Sequence, residues 1–351
     1  MILITGGAGF VGSSLALRLK REFPERAITS LDNLKRRGSE LNLPRLKDAG
    51  VEFVLGDVRQ PDDLDLPGVE WIIECSAEPS ALAGQDGAID YLVHTNLLGT
   101  YHCLELARRS RAGMIFLSTS RVYPIGKIRQ LRFGKAGTRF ELEESQEVSG
   151  VSRLGIAEGF PLDGARTLYG TTKLASELLI TEYAESFELP MIINRCGVLT
   201  GPWQMGKVDQ GVVVLWMARH LFGGELSYIG YQGSGFQVRD ILHVEDLADL
   251  ICLQLSDATP FRAGTFNVGG GAEISVSLRE LTDWCYRLTG NSISIRAEAE
   301  ERPGDVPWFI TDSSRIRDLC GWQPRRGVEA IMTEIYEWMN IHQAKLRPIL
   351  V

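Results

Sequence analysis

The chain has 351 residues, 44% of them hydrophobic and 23% charged, a composition typical of folded globular proteins and unlike that of disordered ones. Its formal net charge of −8 disfavours binding to nucleic acids or to anionic membranes, so we expect neither as a partner. The six cysteines are scattered, without a Cys-x-x-Cys pair or a histidine cluster, which predicts reduced thiols, a cytoplasmic location and no metal site. No apolar run approaches the ~20 residues of a membrane-spanning helix, and the early glycine turn predicts that no signal peptide is present.

Short apolar strands alternate with helix-like segments over residues 1–195, around a long polar insertion at 124–165. Strands are predicted at residues 2–4, 28–31, 51–54, 71–73, 114–117 and 191–193, and helices at residues 13–21, 91–109 and 169–187. This alternation predicts a parallel sheet covered by helices on both faces, with ligands at the carboxyl ends of its strands. Glycines and aromatic residues are denser over 196–351, where we predict a smaller, interleaved α/β domain, mainly for substrate, with some segments returning to the first domain.

A glycine turn comes directly after the first predicted strand. Gly6, Gly9 and Gly12 lie between strand and helix, a position that suits close approach of backbone N–H groups to a pyrophosphate. Asp32 ends the next strand, where a carboxylate accepts hydrogen bonds from an adenosine ribose, and this favours NAD over NADP. Arg36-Arg37 favours NADP instead, because arginines at that place can hold its 2′-phosphate.

Three further polar residues each have two interpretations. Asp57 suits a contact with the adenine amino group, or else the N-cap of a helix. Asn96, within a helical run, holds active-site backbone or a water, or else is a surface or capping residue. Glu78 is a substrate contact or auxiliary acid, or else part of a salt bridge at the rim of the cleft.

The chemistry is predicted from Tyr169 and Lys173, which are four residues apart and therefore share one face of a helix. A phenol ordinarily has a pKa of ~10, and a neighbouring cation such as Lys173 favours its phenolate. Thr119, at the end of a predicted strand, supplies a hydroxyl that orients a substrate alcohol. Arg239 and Arg302 offer guanidinium groups suited to bidentate phosphate contacts, or else they are ordinary surface arginines.

Residues 5–12, 32–34, 56–57, 118–119, 169–173 and 239–240 together resemble the extended short-chain dehydrogenase/reductase family, and within it the nucleotide-sugar epimerases and dehydratases. The resemblance implies a Rossmann-type doubly wound sheet, tightly bound NAD, a Thr119/Tyr169/Lys173 triad and a homo-oligomer, either dimer or tetramer. It also implies a nucleotide-sugar substrate whose phosphates are held by Arg239 and Arg302.

The predicted site residues come from these motifs and from the resemblance. For the cofactor they are Gly6, Gly9, Phe10, Val11, Gly12, Asp32, Asn33, Asp57, Val58, Ala77, Asn96, Ser118, Tyr169 and Lys173. For the substrate they are Glu78, Thr119, Arg239 and Arg302.

Residues 32–38, 207–212 and 237–243 are similar to epimerases of CDP-linked sugars, which favours a CDP-sugar and an NAD-dependent isomerase that oxidises the sugar transiently and reduces it on the opposite face. Related dehydratases resemble this chain but carry Asp-Glu directly after the catalytic threonine, where Ser120 and Arg121 stand here. Dehydration is therefore disfavoured. A sugar-nucleotide reductase and a non-catalytic dinucleotide sensor also stay open, although such sensors typically lose the tyrosine or the lysine.

Overall fold

The computed structural model of the chain describes residues 1–80, 88–206 and 210–350. Among these residues the strands are β1 (Ile2–Thr5), β2 (Ile28–Asp32), β3 (Glu52–Leu55), β4 (Trp71–Glu74), β5 (Gly113–Thr119), β6 (Phe133–Ala136), β7 (Arg139–Leu142), β8 (Val151–Ser152), β9 (Gly155–Ile156), β10 (Met191–Cys196), β11 (Val198–Thr200), β12 (Leu226–Ile229), β13 (Val238–His243), β14 (Gly264–Val268), β15 (Ser275–Ser277), β16 (Ile295–Glu298) and β17 (Trp308–Phe309). The helices are α1 (Phe10–Glu22), α2 (Leu43–Asp48), α3 (Ile89–Val93), α4 (Gly99–Ser110), α5 (Ile125–Arg129), α6 (Leu168–Phe187), α7 (Val212–Phe222), α8 (Val244–Ser256), α9 (Leu278–Thr289), α10 (Ser314–Cys320), α11 (Val328–Ile341) and α12 (Gln343–Leu350).

A seven-stranded sheet has the strand order β14-β10-β5-β4-β1-β2-β3. Strand β1 pairs in parallel with β2 on one side and with β4 on the other. The strand order therefore reverses between β1 and β4, and ligands of such sheets bind beyond the carboxyl ends of the strands at that reversal. The predicted Rossmann-type parallel sheet is confirmed.

The register of the sheet explains why its inner strands are apolar without alternation. Leu3, Ile72 and Met114 are register partners on one face, where they pack with residues of α4 and α6. The next partners, Ile4 and Ile73, are fully buried on the opposite face. Because both faces are covered, a polar side chain has no solvent side to point to and apolar residues occupy successive positions.

The predicted helices form with longer bounds, with one interruption. The helix predicted over 91–109 is observed as α3 and α4, which are joined by a π-helical turn at His94–Leu98. The turn contains the buried Asn96, whose carbonyl oxygen lies 2.8 Å from Thr100 Oγ1. A π-helical turn contains one residue more than an α-helical turn, and such turns are frequent at functional sites.

The first of two compact units comprises Met1–Val122, Leu168–Cys196 and Val244–Phe266. It contains α8, which packs on α1 and is held to β10 by a reciprocal amide pair. Asn194 Nδ2 donates to Gln254 Oε1, and Gln254 Nε2 donates to Asn194 Oδ1, both at 2.9 Å. Both side chains are fully buried, so each amide satisfies the other in the absence of water.

The second unit comprises Tyr123–Thr167, Gly197–His243 and the residues from Asn267 onward. Its sheet has the order β11-β13-β15, with β17 paired to β13, and a smaller parallel sheet joins β12 and β16. The predicted insertion folds here as α5, the hairpin β6-β7 and the hairpin β8-β9. Because the insertion belongs to this unit, the two units are of similar length, where the sequence predicts a smaller second domain.

No helix among the described residues has the length and apolar character that crossing a membrane requires.

The amide pair predicts a stability coupling between β10 and α8. Asn194→Leu should lower the free energy of unfolding by about 1–3 kcal/mol, because the buried amide of Gln254 loses both its donor and its acceptor. Gln254→Leu should cost a similar amount, and the double variant should cost clearly less than the sum of the two. Urea unfolding of the four proteins measures this, and strictly additive losses would contradict the coupling.

Candidate active site

The turn after β1 requires glycine because backbone from two places converges on it. Gly6 has a φ of +62°, and a Cβ there would lie 2.9 Å from the backbone of Cys75, just beyond β4. A Cβ on Gly12 would lie 2.2 Å from the carbonyl oxygen of Gly6. Gly9 precedes α1 as its N-cap and donates its N–H to Gly6 O at 3.0 Å.

The N-terminus of α1 suits an anion. Within the described part of the chain no side chain caps the helix, and its first turn, which includes Phe10 and Val11, holds no acidic residue. The N–H groups at this end and the helix dipole therefore favour a phosphate. A dinucleotide pyrophosphate fits the turn, since the missing Cβ atoms allow backbone to approach it closely.

Asp32 ends β2 next to this turn. Its Oδ2 accepts the N–H of Ala8 at 3.1 Å and its Oδ1 accepts the N–H of Leu34 at 2.8 Å. Burial raises the pKa of Asp32, and these backbone hydrogen bonds oppose that effect. A carboxylate has about four lone-pair sites, so after the hydrogen bonds from the backbone of Ala8, Leu34 and Gly9 it still has acceptor capacity for a ribose hydroxyl.

Asp57 belongs to a polar cluster beyond β3 and does not cap a helix. Burial acts to raise its pKa, but hydrogen bonds from Arg59 and Asn33 outweigh burial and lower the pKa to about 2. Asn33 Nδ2 donates to Asp57 Oδ2 at 2.9 Å, and Arg59 Nη2 donates to the same oxygen at 2.6 Å. The next 3-10 turn, Pro61–Leu64, has Gln60 at its N-cap, so the capping interpretation of Asp57 is wrong.

Val58 and Ala77 also lie beyond strand ends. Val58 is buried, and its carbonyl oxygen lies 2.8 Å from Nδ1 of His102. Ala77 is half-buried in the loop after β4. Their contacts with a cofactor stay predictions.

Asn96 fastens the loop after β4 to the helix that carries Tyr169. Its Oδ1 accepts the N–H of Glu78 at 2.8 Å, and its Nδ2 donates to Glu78 O at 3.1 Å and to Thr172 Oγ1 at 3.2 Å. Because Asn96 is fully buried, its interpretation as a surface residue is wrong. Asn96 holds the backbone of Glu78 through these hydrogen bonds. Holding backbone was one of the two roles predicted for it, the other being to bind a water.

The structure brings Thr119 and Tyr169 close to each other. Thr119 is the last residue of β5, Tyr169 lies in the first turn of α6, and both side chains are buried. Burial raises the pKa of Tyr169 to about 12, while Thr119 and the charge of Arg121 act to lower it. The N–H of Arg121 donates to Thr119 Oγ1 at 3.1 Å, which leaves the threonine hydrogen available to the tyrosine oxygen.

Lys173 lies one turn further along α6 and is only 2% exposed. Its Nζ sits 3.7 Å from the centroid of the Phe116 ring, a cation–π contact in a desolvated place. Burial lowers the pKa of Lys173, and Glu74 and Glu177 oppose this by their negative charge. The predicted stabilisation of the Tyr169 phenolate by Lys173 stays a prediction.

A buried ion pair beside the lysine was not predicted from the sequence. Arg195 Nη2 contacts Glu177 Oε2 at 2.7 Å, and their side chains are 7% and 4% exposed. Ser118 Oγ donates to Glu177 Oε1 at 2.5 Å, so this predicted cofactor residue also braces the pair. The four-residue spacing from Lys173 to Glu177 was the available signal, because it puts both on one helix face.

The predicted substrate arginines lie in the second unit, and a single aspartate links them. Arg239 Nη2 donates to Asp305 Oδ1 at 2.7 Å and to Val306 O at 2.6 Å. The N–H of Asp305 donates to the carbonyl oxygen of Arg302 at 3.1 Å. Arg239 is 17% exposed, so the interpretation of this residue as an ordinary surface arginine is wrong.

Near this pair, Tyr231 was not singled out from the sequence. Burial raises its pKa, and Asp305 raises it further while Arg239 lowers it. Among the described residues its buried phenolic oxygen has no hydrogen-bond partner. Its φ of +50° lies in a region unusual for tyrosine, but the sequence around it showed only a density of glycines and aromatics.

The chain is similar to known proteins over most of its length. The model of the NAD dependent epimerase/dehydratase family matches residues 2–269. The chain is 29% identical to the CDP-paratose 2-epimerase of Salmonella typhi, over 97% of this chain and 99% of the relative. It is 28% identical to a dTDP-glucose 4,6-dehydratase of Streptomyces niveus, over 99% and 95% of the two chains.

Among solved structures, the dTDP-glucose 4,6-dehydratase of Streptomyces venezuelae, determined with NAD bound, superposes with a TM-score of 0.80 at 25% identity, over 99% of both chains. The chain therefore belongs to the NAD dependent epimerase/dehydratase family. The predicted family and its NAD dependence are confirmed. Residues 207–209, part of the segment similar to CDP-sugar epimerases, lie outside the described residues.

The glycine turn predicts a sharp effect on NAD binding. Gly12→Ala should weaken NAD binding at least about tenfold, because the new Cβ would overlap the backbone oxygen of Gly6 and displace the turn. Gly126→Ala is the matched control, since it is also helical and its Cβ would meet nothing within 4 Å. Titration calorimetry with NAD measures both, and equal affinities would show that the turn does not bind the cofactor.

Proposed function

We propose that the chain is an NAD-dependent epimerase that inverts C2 of a CDP-linked sugar, by oxidation to a ketosugar and reduction on the opposite face. The observation that carries the proposal is the placement of three buried groups, with Thr119 at the carboxyl end of β5, Tyr169 in the first turn of α6 and Lys173 one helical turn further along. A phenol, a hydroxyl and a cation are the groups needed to take a proton from a sugar alcohol.

Each residue has one task in this proposal. Thr119 hydrogen-bonds the reacting oxygen and holds it beside Tyr169, which removes the hydroxyl proton as a base and returns it after the sugar has presented its other face. NAD, when bound, accepts the hydride and gives it back. Gly6, Gly9 and the start of α1 hold its pyrophosphate, and Asp32 holds its adenosine ribose.

The pKa of Tyr169 fits a base that depends on neighbouring charge. At about 12 it leaves the phenol neutral at pH 7, so positive charge is needed to bring the phenolate within reach. Arg121 contributes, and Lys173 is proposed to contribute from the next turn of the helix. Proton abstraction by Tyr169 should therefore become faster with rising pH until Lys173 loses its proton.

Epimerisation is favoured over dehydration by the residues after Thr119. Ser120 and Arg121 stand in the 3-10 turn Ser120–Val122, where related dehydratases carry an acid and a base for loss of water. Neither side chain is a carboxyl group. Dehydration stays the second candidate, because the Streptomyces niveus dehydratase is nearly as similar to this chain as the Salmonella typhi epimerase is.

The substrate is proposed to engage the second unit through Arg239 and Arg302. The guanidinium of Arg239 is already oriented by Asp305 and Val306, so little side-chain entropy is lost when it meets a diphosphate. In this proposal the first unit is the NAD-binding domain and the second mainly binds the sugar nucleotide.

Self-association is proposed to use α4 and α6 of the first unit. Tyr101 on α4 is 41% exposed, and Leu178 and Phe187 on α6 are 67% and 40% exposed. Apolar side chains exposed on two contacting helices are what a dimer of identical chains would bury.

Removal of the proposed base separates chemistry from binding. Tyr169→Phe should reduce turnover by about 10²-fold or more, since the general base is lost, while NAD binding changes little. Tyr183→Phe is the matched control, because that tyrosine lies on the same helix and donates its hydroxyl to Glu105 at 2.6 Å. Turnover by Tyr169→Phe at the rate of the control would refute the assignment.

The substrate is tested by a proton NMR time course of the purified protein with CDP-tyvelose. With NAD supplied at less than one equivalent of sugar, we expect complete equilibration with CDP-paratose, because an epimerase regenerates its cofactor. UDP-glucose and dTDP-glucose serve as comparison substrates. A 4-keto-6-deoxy product from either would favour the dehydratase instead.

A further inference from the structure

We infer that Glu74, a buried carboxylate outside the predicted triad, is the countercharge that keeps Lys173 protonated and thus a positioning residue of the site. The inference deepens the proposed function, on which its catalytic consequence rests. Its structural part concerns only two buried side chains of the first unit and can be tested without a substrate.

The sheet register places Glu74 beside the ring that Lys173 covers. Glu74 is the register partner of Phe116 on β5 and of Thr5 on β1. Direct partners in adjacent strands have their side chains on the same face, and Phe116 packs on the face covered by α4 and α6. Because Lys173 Nζ lies 3.7 Å from the centre of the Phe116 ring, Glu74 and Lys173 flank the same side chain.

Hydroxyl groups of both covering helices connect to Glu74. Thr100 Oγ1 on α4 donates to Glu74 Oε1 at 2.7 Å. Ser176 Oγ, three residues after Lys173, lies 3.3 Å from the same threonine oxygen. The other carboxylate oxygen, Oε2, is buried and has no hydrogen-bond partner among the described residues. A carboxylate with one neutral donor and no exposed surface is costly unless a cation is near it.

The charge balance of the site assigns that cation. Four ionisable groups, Glu74, Lys173, Glu177 and Arg195, are at most 7% exposed. Glu177 is neutralised by Arg195 through contacts at 2.7 and 3.1 Å and also accepts from Ser118. Glu74 and Lys173 are then the remaining anion and cation. The four side chains together have no net charge.

Other titratable groups near the pair stay neutral. Cys75 after β4 and Cys196 on β10 face Lys173, and Cys103 on α4 faces Glu74. Burial raises the pKa of all three thiols, to about 12 for Cys196.

Glu74 itself titrates near neutrality. Burial raises its pKa to about 7, against the opposing effects of Lys173 and Thr100. Above that pH the pair is an ammonium and a carboxylate. Without the carboxylate, burial would drive the proton off Lys173 at a lower pH. At acidic pH Lys173 is protonated with or without the Glu74 carboxylate. Loss of that carboxylate should therefore change the protonation of Lys173 only at alkaline pH.

The test is a titration of Lys173 in protein with ¹³C-labelled lysine, followed by NMR, with the resonance assigned through Lys173→Met. Glu74→Gln should lower the pKa of Lys173 by about one or more, the effect expected for loss of a nearby opposite charge. Glu74→Asp keeps the charge and should restore most of the wild-type value. Thr100→Val removes the hydrogen bond but neither charge, and should change the lysine pKa much less than Glu74→Gln.

An unchanged lysine pKa in Glu74→Gln, or equal shifts in Glu74→Gln and Glu74→Asp, would overturn the inference. If Glu74→Gln does not fold, the reciprocal titration decides: with ¹³C-labelled glutamate, Lys173→Met must raise the pKa of Glu74, and an unchanged value refutes the pairing.

For the catalytic consequence, the alkaline limb of the kcat profile should move to lower pH in Glu74→Gln. Absence of turnover by the wild type with every nucleotide sugar would refute the proposed function alone, because the NMR titration stands without it.

Discussion

Burial of charge against the central sheet is the constraint on which the rest of the candidate site depends. Lys173 lies buried in a helix–sheet interface, where an unpaired ammonium would give up its proton. The interface therefore also contains the carboxylates of Glu74 and Glu177. Glu177 in turn forms an ion pair with Arg195. Removal of any one of these groups leaves its partner buried without compensation, a change that typically destabilises far more than the intact pair stabilises.

A second constraint is the close approach of backbone at the reversal of strand order. Gly6 and Gly12 are glycines because carbonyl and amide groups occupy the space that a Cβ would take, and not because the turn must be flexible. The same absence of side chains exposes the N–H groups at the start of α1. The same glycines thus avoid a clash within the protein and leave room for a phosphate. Asp32 stabilises this turn by accepting a hydrogen bond from the N–H of Ala8.

The two candidate activities differ in the residues they need directly after Thr119, not in the redox pair. Oxidation of a sugar alcohol needs only a base, an orienting hydroxyl and a hydride acceptor, and all members of such a family can share these. Loss of water needs an additional acid and base, and Ser120 and Arg121 supply no carboxyl group. Arg121 instead contributes positive charge next to Tyr169, which favours the phenolate.

The parallel sheet, the glycine turn and the placement of Tyr169 and Lys173 one turn apart on the same helix were all predictable from the amino-acid sequence, because strand alternation, Cβ sterics and helical spacing are local properties. Asp57 and Asn96 stayed open at that level, since capping and bracing look alike until partners such as Arg59 and Thr172 are known. Glu74 and Arg195 reach Lys173 and Glu177 from other strands, so their roles emerged only from the folded chain, as did the place of the insertion in the second unit. Contacts between distant segments depend on register and burial, which no short stretch of sequence encodes.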